Sequence, residues 1–558
     1  MKNKKSRIIF TIVAIICIAV YCASITPKTL QNDTFYTIKI GQYLFENGIG
    51  DLTKDMYSWH NLPYTYPHWL YDLGSYLVYR VASWDGIYVA TIIQCILLGL
   101  SLFFVSTKIS KNEPVSFGIT MFAMYMMKPF ITARAQLITF ILFVWTVYFI
   151  EKFLEKPKIV YAIMLVLIPL LITNLHCAVF PFYFVLFVPY IGEYFISLVL
   201  DSNIVSENYK IVFLKICNGT KWIKNKEDFT KAIEDLNEKK LVKMEKRKKQ
   251  REAEPYKLVI KKNHNVLLLI VVMLIAACTG FVNPAGTGAY TYVYKTMQGN
   301  TTEHINEHLP LTVIDNLDFM ISFAVFLGIL LLTDRKIKLA DLFMVGGLTI
   351  LALKMKRQVS MYVLFGAIVL VKLIHSFFIK FDKKFEEKLV MVCSSLLCSV
   401  LICVLVGYIS YDQFEEKVKD EYIDHQSYPV EMCDWILENC DVTEMRVYNE
   451  YNYGSYMLYR GVPVFIDSRC DLYTPEFNKT EDNPKGKDIF IDSLNIASLY
   501  DNYETKFQEY DVNYVLVAPV TKLAVALEKD NNYEEIHRDE NNYFVLFHKK
   551  APKAVKGE

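Results

Sequence analysis

Apolar runs long enough to cross a bilayer recur along most of this chain, beginning with "IIFTIVAIICIAVYCAS" at 8–24. About 30 Å of hydrocarbon takes roughly 17 to 25 helical residues, and inside it each backbone polar group has to be satisfied by the protein itself. Candidate spans fall at 8–24, 67–83, 86–107, 114–127, 136–152, 159–174, 178–200, 264–281, 313–333, 338–353, 359–379 and 388–409. With 558 residues, 53% of them hydrophobic, the pattern makes a mainly α, polytopic helix bundle with a soluble part attached. The first run ends in "SITPKTLQ" with no clear small-residue cleavage site, and reads as an anchor.

Charge orients the spans. The net charge of +1 hides two opposed segments: residues 201–262 hold 17 Lys/Arg against 10 Asp/Glu, and residues 411–558 hold 16 against 30. Basic residues near span ends stay cytoplasmic, so the insertion 201–262 belongs inside and the acidic tail outside. Beside spans, "KKLVKMEKRKKQREAE" reads as a solvated cytoplasmic loop, and no nucleic-acid partner is expected. Twelve spans after a cytoplasmic "MKNKKSR" break this arrangement, so one candidate must fail to cross. The shortest, 114–127, covers about 21 Å as a helix and is read as a half-span. About eleven crossings remain, with the N-terminus cytoplasmic and the C-terminal part extracytoplasmic.

The organisation expected is a transmembrane domain over 1–410, carrying the external loop 25–66, followed by an α/β domain over 411–558. In the tail "YPVEMCDWILENC", "IDSLNIASLYD" and "VTKLAVALEK" read as helices. "MRVYNEY", "VPVFID" and "VNYVLVAP" read as strands, with a terminal hairpin about "DENN". P-loop, dinucleotide, HExxH and GxSxG signatures are missing from the sequence, so nothing in it points to ATP, NAD or those hydrolytic chemistries. The twelve cysteines contain no CxxC.

Five basic residues fall outside under this topology, against the charge rule: Lys128, Arg134, Lys354, Lys356 and Arg357. An anionic ligand at the outer leaflet gives them a reason to be there; snorkelling at helix ends is the alternative. Asp33 heads a short amphipathic stretch, "TFYTIKIGQYLFENG", which reads as a helix lying in the interface and ending at Gly48. Asn32 or Asp33 is its expected N-cap, and the same Asp33 carboxylate is a candidate general base. Asp55, His68 and Trp69 are candidates for a sugar or acceptor site, though His and Trp also anchor span ends. Asn174 and His176 interrupt an apolar stretch, where polar groups mark interhelical bonds or a site. Glu303 joins them as a candidate. With His304, Glu307 and His308 it has i, i+4 spacing that in a helix would face a divalent ion, but a third defined ligand is missing, so no metal is assigned. In "FIDSRCDLY", Asp467, Arg469 and Asp471 follow an expected strand, where an Asp–Arg pair fixes a turn or a ligand is recognised.

These residues carry a resemblance. An aspartate early in the first external loop, a juxtamembrane helix, and "DMYSWHNLPYTYPHWLYDLGSYLVYR" leading into the next span resemble the GT-C superfamily of polytopic glycosyltransferases. That superfamily includes protein O-mannosyltransferases, the oligosaccharyltransferase catalytic subunit and lipid A aminoarabinose transferases. "ARAQ", "NLH", "NPAG" and "NEYNYGSYMLYRGVPVFIDSRCDLY" are similar to elements of bacterial GT-C-like membrane proteins. The resemblance implies a cell-membrane enzyme that takes sugar from a polyprenyl-phosphate donor at the outer face and passes it to a hydroxyl on a glycan, lipid or protein. It implies Asp33 as the base, and Arg134, Arg357 and more weakly Lys128 as cations for the donor phosphate. No cofactor is required, and a divalent cation is left open. A non-catalytic scaffold that binds a lipid-linked glycan, or a partner through the tail, is the alternative. A transporter fits poorly because the two halves of the chain are unlike.

Overall fold

The computed structural model describes residues 2–49, 54–217, 226–253, 258–299, 301–332, 337–381, 384–481 and 483–550. Parts of the basic insertion (218–225, 254–257) and of two basic links (333–336, 382–383) therefore lie outside the described residues. Among the described residues six helices are long and apolar enough to cross a membrane, and shorter apolar ones include Ile159–Leu175, Asn265–Phe281 and Leu317–Leu332. The fold is the mainly helical bundle the sequence implies, with a small sheet near the C-terminus.

The candidates 67–83 and 86–107 form one helix, α3 (Trp69–Ser110), broken at Ala82 and Ser83, whose backbones are non-helical. Its first part packs on the first loop. It lies along α2 (Asn32–Asn47), and Tyr79 hydrogen-bonds Tyr459 of the C-terminal region at 2.7 Å. Just past the kink, Asp85 accepts from Tyr422 of the same region, so both ends of Trp69–Ala82 stay on the α2 side. The expected half-span is the helix α4 (Glu113–Met127), which packs against α1 (Lys2–Ile25). Its start is held by Arg7, paired to Glu113 at 2.9 Å. After its end the chain returns to α2, where Thr34 bonds the carbonyl of Ala133 at 3.4 Å. A 3₁₀ turn, Lys128–Phe130, follows this helix.

The first loop and the C-terminal region share one apolar core. Leu30, Phe35, Ile38, Ile40, Leu44 and Tyr64 are buried together with Met432, Val447, Phe465, Val515 and Phe547. Phe35 is the pin: fully buried, it meets Trp84, Tyr428 and Tyr456 edge-on at 5.7, 4.9 and 5.1 Å. Gly41 lets α2 lie on α3, since a Cβ there would stand 2.1 Å from the carbonyl oxygen of Asp72. Gly48 closes α2 at φ 76°, as a left-handed glycine cap does.

Four strands form the sheet in the order Val447–Asn449, Tyr514–Val517, Val545–Lys549, Tyr533–Arg538, the first pair parallel and the others antiparallel. The expected strand "VPVFID" is not part of it. It is extended, but its only pairing among the described residues is a single bridge, Val464 to Ser58. The side chain of Asn449 replaces a neighbouring strand there, accepting from Phe465 N at 2.8 Å and donating to the carbonyl of Ile466 at 2.7 Å.

Candidate functional site

Between the bundle, α2 and the C-terminal region lies a cavity of about 410 Å³. Helical spacing puts Asp33, Tyr36 and Thr37 on one face of α2, and all three line it. The cap of α2 is Gln31, with no side-chain bond, so neither Asn32 nor Asp33 caps the helix. Asn32 instead donates to the carbonyl of Tyr451 at 2.9 Å. Asp33 sits inside the first turn, where the helix dipole favours its charge, and faces the cavity.

Two arginines come to the same cavity from distant segments. Arg134 is the extended residue before α5 (Ala135–Glu155), and its Nε lies 3.0 Å from Asp33 Oδ2. That contact is an ion pair without hydrogen-bond alignment, and Arg134 Nε is buried with no hydrogen-bond partner. Arg357 occupies a 3₁₀ turn, Lys356–Gln358, between two bundle helices, and donates to Gln136 Oε1 at 3.3 Å. Glu307 Oε1 lies between the two guanidiniums, 3.8 Å from Arg134 Nη1 and 3.9 Å from Arg357 Nη1. Burial alone would raise the Glu307 carboxyl; Arg357 and Arg134 outweigh it and hold the carboxyl below its ordinary pKa.

A histidine dyad forms another wall. His68 Nδ1 is 2.9 Å from Asp72, one helical turn on, and Nε2 is 3.3 Å from the Tyr36 hydroxyl. Burial pushes the His68 imidazole down, but the charge and hydrogen bond of Asp72 prevail and its pKa stands above the ordinary value. His176 also lines the cavity and bonds Thr139 through Nδ1 at 3.0 Å. The C-terminal region closes the site with Tyr451, Ser468, Arg469, Cys470 and Asp471. Asp471 accepts from Tyr292 at 2.8 Å and Thr296 at 3.4 Å, and burial raises its carboxyl.

Of the residues singled out in the sequence, Asp33, Arg134, Arg357, His68, His176, Glu307, His308, Arg469 and Asp471 line this cavity, and Lys128, Glu303, Asp55, Trp69 and Asn174 do not. Lys128 is exposed and donates to Gln413 Oε1 at 2.6 Å. Glu303 is exposed, because the helix Thr301–His304 breaks at the extended Ile305. The i, i+4 set is therefore not formed, and only Glu307 and His308 of it line the cavity. Asp55 is buried, accepts from Ser58 N at 2.8 Å, and pairs with Arg469 at 2.7 Å. Trp69 donates to Asn174 at 3.1 Å, and Asn174 bonds the carbonyls of Leu170 and Val282, so this pair ties α3 to α6 (Ile159–Leu175). Sequence reasoning overlooked Tyr36 and Asp72, although they stand at i+3 from Asp33 and i+4 from His68. Among the described residues no cluster of three His, Cys, Asp or Glu side chains is placed to hold a metal ion, and the carboxylates of Asp33 and Glu307 face guanidiniums.

No family model matches the chain, and no curated protein sequence matches it. Among solved structures it is similar to the oligosaccharyltransferase of Archaeoglobus fulgidus in the apo form, with 11% sequence identity and a TM-score of 0.53 over 92% of this chain and 69% of that one. The chain accordingly shares the overall fold of that oligosaccharyltransferase structure.

Proposed function

We propose that the protein is a membrane glycosyltransferase that moves a sugar from a polyprenyl-phosphate donor to an acceptor hydroxyl at the extracytoplasmic face. The observation that carries this reading is the Asp33 carboxylate facing a cavity flanked by two arginines. One side of that cavity is apolar, with Phe140, Phe143, Phe182 and Met361, and suits the start of a lipid chain. In the reaction the acceptor oxygen attacks the anomeric carbon as the bond from that carbon to the phosphate oxygen breaks. The bonding pair leaves with the phosphate, whose charge Arg134 and Arg357 stabilise. Asp33 takes the proton of the attacking hydroxyl, a contribution of roughly 10²–10⁴-fold.

Two measurements test this reading. Equilibrium binding of a polyprenyl-phosphate sugar should weaken at least about tenfold in Arg134→Ala and in Arg357→Ala. Lysine at either position should recover only part of the affinity, because a point charge does not reproduce a planar, two-pronged donor. Unchanged binding in both alanine variants would remove the phosphate assignment. The second measurement is sidedness: single cysteines at Lys239 and Asn542, in a background without native cysteines, should react with an impermeant reagent from the cytoplasmic and external sides respectively. Reaction of both from one side would contradict the orientation on which an external site depends.

A further inference from the structure

The two-arginine site already holds an anion, and that anion belongs to the protein. A single oxygen, Glu307 Oε1, faces both guanidiniums at 3.8 and 3.9 Å, close enough for attraction and too far for hydrogen bonds. Around it, buried Arg134 Nε and His308 Nδ1 have no hydrogen-bond partner. Arg134, His308 and Arg357 all line the cavity, and Arg134 Nε meets Asp33 Oδ2 at 3.0 Å without hydrogen-bond alignment. A carboxylate with two oxygens leaves those positions unfilled; a phosphate, with more oxygens on a larger centre, reaches more of them.

Glu307 is also built to move. Its turn, Asn306–His308, is pinned to the strand of chain that carries Arg357: Lys356 N donates to the carbonyl of Leu309 at 3.0 Å, Lys356 Nζ to Asn306 Oδ1 at 2.9 Å, and Leu311 N to the carbonyl of Leu353 at 3.1 Å. The side chain itself is 43% exposed. Leaving the site thus takes rotation of one side chain, with the backbone staying in place.

The charges limit what can replace it. Among the described residues lining the cavity the cationic side chains other than histidine are Arg134, Arg357 and Arg469. Arg469 is engaged by Asp55 and Asp467, each at 2.7 Å. Arg134 and Arg357 stand against Asp33 and Glu307, which balance them. With Glu307 turned out, the Arg134–Arg357 pair exceeds its remaining neighbour Asp33 by one charge, which a phosphodiester neutralises and a diphosphate exceeds. Asp471 adds negative charge on the opposite wall. We infer that Glu307 occupies the phosphate site of this protein in the absence of donor, that the donor binds by displacing it, and that the site takes one phosphate group carrying a single negative charge. This rests on the glycosyltransferase reading above and narrows its donor to a lipid monophosphate.

The test uses the full chain in lipid nanodiscs and two probes of equal chain length, decyl methyl phosphate and decyl diphosphate. The parent should bind the phosphodiester more tightly than the diphosphate. Glu307→Gln keeps the shape and removes the competing charge, so it should bind the phosphodiester roughly tenfold more tightly, about 1.4 kcal/mol. It should also narrow the preference against the diphosphate. Arg134→Ala and Arg357→Ala should weaken both probes. If Glu307→Gln leaves binding unchanged or weaker while the arginine variants lose it, Glu307 is not a stand-in for phosphate and the site itself survives. A parent that prefers the diphosphate would overturn the single-phosphate limit. Loss of effect in all three variants would instead overturn the donor reading on which this inference rests.

Discussion

Asp33→Asn should lower sugar transfer by at least about a hundredfold while donor binding holds or tightens. Two structural facts make this substitution clean. Gln31 occupies the cap of α2, so the change removes no capping bond. The Asp33 side chain is 22% exposed and its partner Arg134 keeps Glu307 nearby at 3.8 Å, so the lost ion pair should change stability by no more than about 1 kcal/mol. An amide has the size of the carboxylate but does not take up a proton near neutral pH. Removing the negative charge beside Arg134 leaves that arginine freer for phosphate, which is why affinity and turnover should move apart. Single-turnover transfer and equilibrium donor binding, measured on the same preparation, read the two separately. Near-parental transfer in the Asn variant would remove Asp33 as the base.

Arg469→Ala should be the most destabilising single change at the junction between the first loop and the C-terminal region, costing roughly 3–5 kcal/mol. The guanidinium is 1% exposed and lies between Asp55 and Asp467, both fully buried, so its loss strands two carboxylates away from water. Tyr473 also donates to Asp467 at 2.6 Å, and the ring of Tyr64 lies 5.0 Å from the guanidinium carbon. The melting temperature of the detergent-solubilised protein should fall sharply, and lysine should not restore it because the paired contacts need a fork of donors. Combining Arg469→Met with Asp55→Asn and Asp467→Asn should recover much of the loss, since the uncompensated charge is then gone. A small shift in the alanine variant would mean that the triad is open to water and does not hold the two regions together.

Much of this arrangement is legible along the chain. Apolar runs set the bundle, and the acidic first turn of α2 and the misplaced arginines mark three segments that converge on one cavity. What stays hidden is whatever depends on a partner distant in sequence. The run 67–83 is as apolar as a span, but its aromatic face packs on α2 and the C-terminal region, and local hydropathy does not distinguish a protein neighbour from lipid. "VPVFID" has the alternation of a strand, yet a side chain of Asn449 takes its backbone bonds. Asp55 and Arg469 are 414 residues apart, so a buried ion pair reads locally as two candidate ligands. Glu307 reads as half of a metal pair on a helix, and the break at Ile305 turns it toward the arginines.

The most direct test of the account is consumption of donor. The purified full chain, reconstituted in lipid with membrane extract as acceptor source, is incubated with a panel of polyprenyl-phosphate sugars labelled in the sugar. Enzymatic transfer predicts that one member of the panel is consumed, with the label moving to an acceptor and free polyprenyl phosphate appearing in equal amount. Both should be lost in Asp33→Asn. A donor that binds tightly, depends on Arg134 and Arg357, and is recovered intact would contradict catalysis and make this a membrane scaffold for lipid-linked sugar.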